Sequence, residues 1–178
     1  AYCIIAKINY FLLTEEFNKQ FDCGLDFYIG NAILSMHIWL ICQRLNNFKR
    51  SKNASDLVNN ILKQNKSICN RQFQGIDTLR RISKFTKIEE NAEEQKQKLH
   101  WHFNIYDCTF EDNFFKIDSL VWSYIFREKI DRYDDRVYKM SHYIVYHFNK
   151  YKELSYNDIK NMNFEFDLEK SIPFNFKD

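Results

Sequence analysis

A chain of 178 residues is long enough for one domain with one sizeable core, and its formal net charge of +2 is too small to declare a nucleic-acid or membrane partner. Three Gly and one Pro, set against 17 Phe and 11 Tyr, exclude a fold built on hairpin turns. The enrichment in Phe, Tyr, Ile, Asn and Lys is what AT-rich codon usage produces, and it carries no functional argument.

The composition predicts an all-helical protein. Residues 2–21 form a first helix with Ile4, Ile8, Phe11, Leu12 and Phe17 on one side, and Asp22-Cys23-Gly24 breaks it, with Gly24 supplying the permissive backbone of a helix exit. Residues 27–45 follow as the central helix. Phe27 to Cys42 pass without a formal charge, and Ile29, Ile33, Met36, Leu40 and Ile41 recur at spacings of three and four, with Leu34, Ile38 and Trp39 around the flank. A helix apolar on several sides is the core of a small bundle. A membrane span would need about 20 apolar residues, and Asn31, Ser35 and His37 interrupt this run.

A third helix starts near Ser55, with Ser51 and Asn53 as other cap candidates, and frays near Gly75; residues 76–88 carry a further apolar repeat through Ile76, Leu79, Ile82 and Phe85. A long helix from Glu89 has an acidic first turn and buries Leu99, Phe103, Tyr106 and Phe110. Residues 113–133 give another through Ile117, Leu120, Val121, Tyr124 and Ile125. Asp134 or Asp135 caps the next, with Val137, Met140, Ile144, Val145 and Phe148 inward, and Ser155-x-x-Asp158 opens a short turn. The architecture expected is a single-domain bundle of about six to seven helices over residues 1–162, with an extended C-terminal tail at 163–178.

No constellation for catalysis or cofactor binding emerges. The three glycines stand alone, so neither a dinucleotide fingerprint nor a P-loop can be written, and there is no GxSxG elbow. His100 and His102 are two apart and point away from each other on a helix; His142 and His147 are five apart; no carboxylate lies three residues before a histidine. Cysteines 3, 23, 42, 69 and 108 form no CxxC pair, and Cys3 and Cys42, in apolar stretches, read as buried reduced thiols. Glu89, Glu90, Glu93 and Glu94 read as a solvated acidic turn, the Trp and Tyr residues as packing, and His37 as a core histidine sharing its ring N–H with a nearby carbonyl or side chain. No enzymatic activity, cofactor or metal is expected.

Charge is unevenly placed. Residues 44–87 carry eleven Lys and Arg against Asp56 and Asp77, a net +9, whereas residues 88–118 are net −5. Lys49, Arg50, Lys52, Lys63, Lys66, Arg71, Arg80, Arg81, Lys84 and Lys87 are therefore a candidate docking surface for ribosomal RNA, an acidic protein or anionic lipid. The alternative is a solvated face neutralised by the neighbouring acidic block.

The central run Met36-His37-Ile38-Trp39-Leu40-Ile41-Cys42-Gln43-Arg44-Leu45 resembles the histidine–apolar–tryptophan–leucine stretch ending in Arg-Leu of the ubiquinol–cytochrome c chaperone family. Tyr106-Asp107 followed by the acidic Glu111, Trp122 with Ile125-Phe126, and the closing segment LSYNDIKNMNFEF continue the likeness, which spans roughly residues 27–166. The chain departs from the family at Leu99-His100-Trp101-His102, where the family has a phenylalanine–tyrosine–glycine–arginine step, and at Trp122-Ser123-Tyr124, which lacks the family's arginine and asparagine.

The resemblance implies an all-helical scaffold whose motif core is His37, Trp39, Leu40, Arg44, Leu45, Tyr106, Asp107, Trp122 and Phe126. It further implies a mitochondrial location at the matrix or matrix face of the inner membrane, and a non-enzymatic role in cytochrome b and respiratory complex III assembly. The partners it implies are nascent cytochrome b, a small co-chaperone and the mitochondrial ribosome. A groove beside the central helix would shield apolar client segments. A permanent structural subunit of a mitochondrial ribosome or respiratory complex is the rival expectation.

Overall fold

The computed structural model describes residues 1–22, 27–48, 51–83, 103–110 and 116–172. Every regular element among them is helical: α1 (Tyr2–Leu12), α2 (Glu15–Phe21), α3 (Phe27–Asn46), α4 (Lys52–Ser83), α5 (103–110), α6 (Ile117–Leu120) running into a π-helical turn (Val121–Ile125), α7 (Asp135–Tyr151), α8 (Tyr156–Lys160) and α9 (Leu168–Ser171).

The first expected helix is two. Thr14 takes an extended backbone, its hydroxyl oxygen accepts the Phe17 N–H at 3.3 Å, and Glu15 and Glu16 occupy the first turn of α2, where the helix dipole favours them. The break turns Leu13 out to solvent and lets Ile4, Ile5 and Ile8 of α1 and Phe17 and Phe21 of α2 reach the core from different directions. α2 closes on Asp22, whose backbone is left-handed with φ 42°. Aspartate tolerates that region, so the exit falls two residues before the expected Gly24.

Ser51 is the cap of α4: Ala54 N–H donates to its hydroxyl oxygen at 3.3 Å. The helix then runs unbroken through Gly75, where fraying was expected, to Ser83, taking in the start of the apolar repeat over 76–88. One glycine in a helix interior costs only about 1 kcal/mol, too little to stop a helix of 32 residues. The helix expected over 113–133 is shorter. Among the described residues it covers 117–125, and its last turn widens so that Phe126 N–H reaches Val121 O, five residues back. Arg127 and Glu128 both take left-handed backbones (φ 55° and 58°), and Glu128 N–H closes the end on Trp122 O at 3.0 Å. Ile130 still packs against the core, but from the loop beyond this left-handed end and not from a continued helix. Asp134 caps α7 through Arg136 N–H, and Ser155 and Asp158 exchange both bonds of a capping box.

α3 is the axis of the bundle. It packs against α1, α4, α7 and the π turn, while α2 and α9 pack on α7. Every residue from 31 to 42 is buried. At 20 residues α3 is long, but no described helix is long and apolar enough to cross a membrane. The segment after α8 is tied down: residues 163–167 are extended, Asp167 caps the single turn α9, and Phe164, Leu168 and Ile172 are buried.

Candidate functional site: the polar junctions of the central helix

An all-round buried helix must find hydrogen-bond partners for each polar side chain it carries. His37, Trp39 and Gln43 find theirs on two sides of α3. On one, the Trp39 indole N–H donates to Asp107 Oδ1 at 2.6 Å, and the Gln43 side-chain amide donates to the same oxygen. The indole is 1 % exposed and lies flat on Phe148, with planes 5° apart and centroids at 5.6 Å; Tyr106 and Phe110 each approach it to 5.1 Å. Trp39 and Gln43 are four apart and so stand one above the other on α3, which places both donors before one carboxylate on α5. Burial pushes the Tyr106 hydroxyl far above its usual pKa, which keeps it protonated.

On the other side His37 is fully buried. Its Nδ1 lies 2.8 Å from Ile33 O, and a carbonyl only accepts, so the ring proton sits on Nδ1. Nε2 is left as an acceptor for the Tyr143 hydroxyl at 2.7 Å. Four residues on, His147 repeats the arrangement: Nδ1–H donates to Tyr143 O at 3.0 Å, and Nε2 accepts the Asp167 backbone N–H at 3.1 Å. Desolvation brings His37 down to about 3, despite the carbonyl bond that opposes it, and His147 to about 4. Both rings are neutral couplers, joining α3 to α7 and α7 to the C-terminal segment. Phe11, Phe17 and Phe166 ring His37 with centroids between 5.1 and 6.4 Å.

The remaining motif residues are placed as follows. Leu40, Leu45 and Phe126 are core. Arg44 is committed internally: its Nε–H donates to Leu154 O at 2.6 Å and the guanidinium lies 4.6 Å over the Phe48 ring. Trp122 makes its contacts locally, with its indole N–H on Ile130 O at 2.9 Å and the Arg132 guanidinium 5.7 Å from its ring. Trp39, Tyr106 and Asp107 therefore meet, across 68 residues of chain for the indole–carboxylate bond, while Trp122 stands apart from that cluster.

Within the candidate docking surface, Lys52, Lys63, Lys66 and Arg71 are exposed on α4. Spacings of 11 and 3 put Lys52, Lys63 and Lys66 on one face, opposite the buried Ala54, Val58, Ile61 and Asn65. Arg80 and Arg81 lie on the last turns of the α4 backbone, and Lys49, Arg50, Lys84 and Lys87 lie outside the described residues, as do His100, His102, Glu111 and the glutamates at 89–94.

Two expectations are corrected. The expected open groove does not run along residues 31–42 of the central helix, each of which is buried, with α1, α4, α5, α7 and the π turn packed on α3. Cys3 is exposed, since it shares the outward side of α1 with Tyr2 and Ala6. Cys42 is buried, and desolvation pushes its thiol up to about 12. Among the described residues no three His, Cys, Asp or Glu side chains are grouped to hold a metal ion.

Reading the sequence singled out His37, Trp39 and Asp107 but missed Tyr143 and His147 as polar partners. The available signal was the four-residue spacing of Tyr143, His147 and Tyr151, which stacks three polar-tipped rings on one face of α7. No family model, curated protein or solved structure significantly matches the chain.

Proposed function

We propose that this chain is a non-enzymatic protein-binding factor of mitochondria, of the kind that assists cytochrome b and complex III assembly. The observation that carries the reading is the meeting of Trp39, Tyr106 and Asp107, the motif residues on which the resemblance rests, in one cluster. These residues lie too deep to touch a client. Their role is to hold α3 and α5 together, and client contact falls to the outer surface. The basic face of α4 is a docking surface for an acidic partner or for ribosomal RNA.

The second reading, a permanent subunit of a mitochondrial ribosome or respiratory complex, is favoured by one feature of α1. Tyr2, Tyr10 and Leu13 are 67, 78 and 80 % exposed, and with Ala6 they share one outward face, a stripe suited to a constant neighbour.

A size-resolved profile of the tagged protein in solubilised mitochondria separates the two. Substoichiometric association with cytochrome b or the ribosome, lost when translation is stopped, is the outcome expected of the assembly factor. Equimolar co-migration with a mature complex, insensitive to translation, would overturn it in favour of the subunit.

A further inference from the structure

The chain beyond α8 lies on the bundle as a bound peptide lies on its receptor. Residues 163–167 are extended, and alternate side chains turn inward: Phe164 and Leu168 are buried and Phe166 half-buried, while Asn163 and Glu165 face water. Among the described residues no main-chain hydrogen bond joins 164–167 to another element. Side chains hold this backbone instead. Lys7 reaches across from α1 and donates to Met162 O at 2.8 Å and Phe164 O at 2.5 Å, and His147 Nε2 of α7 accepts the Asp167 N–H at 3.1 Å. The Phe166 ring stacks on Phe11 of α1 with centroids 4.6 Å apart, and meets His37 of α3 edge-on at 5.1 Å. Phe164 stands 5.9 Å from the Tyr151 ring of α7, with the Lys7 ammonium 4.7 Å from its own centre. α1, α3 and α7 thus supply an aromatic trough, and residues 162–172 are its occupant.

Three features set this segment apart from the helices it covers. Met162, where the chain leaves α8, has a left-handed backbone with φ 60°. A methionine adopts that region only at a cost, and strain of this kind recurs at segments that switch. The seat is also incompletely filled: a cleft of about 450 Å³ stays open between the segment, α1 and the end of α7, beside Met162 and Phe164. Finally, Lys7 and His147 read only main-chain atoms, two carbonyls and one N–H, which every peptide carries. The sequence requirement falls on the alternate rings.

We propose that residues 162–172 are a displaceable strap, and that the trough beneath them receives an extended segment of a partner protein with aromatic or large aliphatic side chains at alternate positions. Such a segment can remake the strap's contacts with Lys7, Phe11, His37 and His147, and a side chain bulkier than Phe164 fills the cleft that the strap leaves open. The inference deepens the protein-binding reading by naming the surface used, and takes from that reading only that the partner is a protein.

Amide hydrogen exchange of the full chain in low urea tests the release. The Asp167 amide should be at least about a hundredfold less protected than those of Ile38 and Ile144, with a shallower urea dependence, because the strap opens without the bundle. For occupancy, the probe is the N-acetylated, C-amidated peptide of residues 161–172. It is added to the full chain carrying Phe164→Ala and Phe166→Ala, which strips the tethered strap of its rings. Saturable binding is expected, with shift changes at Phe11, His37 and His147, and the peptide bearing the same two alanines should bind at least about tenfold more weakly. An unrelated peptide with Phe, Tyr and Leu at the same alternate positions should bind within about threefold of the first. Should the double variant fail to fold, exchange in the wild-type chain decides. An Asp167 amide that exchanges only with the bundle would overturn the strap, as would absent binding to a folded variant. Failure of the unrelated peptide, or concentration-dependent pairing of the wild-type chain, would give the trough to this chain's own segment and overturn the partner. None of these readouts uses mitochondria, so failure here leaves the assembly-factor reading standing.

Discussion

α3 and α4 are the two longest helices among the described residues, and they solve opposite problems. α3 buries its whole circumference over residues 31–42, and its two large polar-tipped rings there are matched inside the protein: His37 by Ile33 O and Tyr143, and Trp39 by Asp107. α4 buries one stripe, Ala54, Val58, Ile61 and Asn65, and leaves the opposite face to water with Lys52, Lys63 and Lys66. What distinguishes one contact of α3 from another is its polar atoms, since apolar contact surrounds it. What positions α4 among the described residues is that stripe, and Lys52, Lys63 and Lys66 stand on the face turned to water. The buried polar residues His37 and Trp39 of α3 thus join parts of the fold, whereas Lys52, Lys63 and Lys66 of α4 are exposed to solvent.

The sharpest way to break this contrast is Trp39→Ala. It opens a void among Tyr106, Phe110 and Phe148 and removes a donor from Asp107. Large aromatic-to-alanine changes in cores cost about 3–5 kcal/mol, and the loss should appear as a large fall in the urea midpoint. Trp39→Phe refills most of the void and should recover the greater part. Equal loss in both variants would mean that the indole–carboxylate bond, and not packing, dominates the junction.

Acid probes both histidines at once. The folded protein keeps His37 and His147 neutral, with pKa values of about 3 and about 4, against 6.5 in the unfolded chain. The unfolded state therefore binds more protons below pH 6.5. Stability is full above that value and declines as pH falls toward 4 for His147 and 3 for His37. At pH 5 the loss is about 2 kcal/mol per histidine, from 1.36 kcal/mol per pH unit below the unfolded pKa. Urea titrations at pH 7.5 and 5.0 measure it. His37→Gln with His147→Gln, which takes up no proton, should flatten the difference. Asp134 and Asp167 are held low by their hydrogen bonds to Arg136 and Lys170, so their stabilisation is lost only at still lower pH.

Much of this could be read from the residues, and what was missed has a physical pattern. The central helix announced itself through its uncharged run, and Asp134 and the Ser155–Asp158 box declared their helix starts, because caps are local chemistry. Thr14 was equally local, a threonine followed by two glutamates, but the apolar repeat running on either side of it masked the break. The partners of α3 were not readable. A helix apolar on every side has no preferred face, so periodicity gives no orientation, and the bond from Trp39 to Asp107 spans 68 residues. Cys3 shows the same blindness in reverse: an apolar neighbourhood in sequence did not say which side of α1 faced water.

A milder test is Tyr143→Phe. It keeps the ring among Phe11, Phe17 and Phe21 and deletes only the hydroxyl, leaving His37 Nε2 without its donor. A buried acceptor stripped of its partner costs about 1–3 kcal/mol. The variant also separates the two histidines: the acid response of His37 should shift while that of His147, held by the Asp167 N–H, stays. Histidine titration curves followed by NMR distinguish them. If both move together, the two rings act as one unit through α7.

The smallest expected effect is the one that best defines α4. Lys63→Ser, Lys66→Ser and Arg71→Ser all alter exposed side chains; among the described residues Arg71 bonds Ser67, one turn back, at 3.2 Å. Surface substitutions of this kind fall within about 0.5 kcal/mol, so the triple variant should melt like the parent. Removing three positive charges from one helix should nevertheless weaken any association with an acidic partner or RNA, and reduce its salt dependence, since each lysine or arginine that meets a phosphate releases a counterion. Co-sedimentation with ribosomes at rising salt reads that slope. An unchanged slope with unchanged stability would make the face merely solvated, and would leave the outward stripe of α1 as the surface that meets a partner.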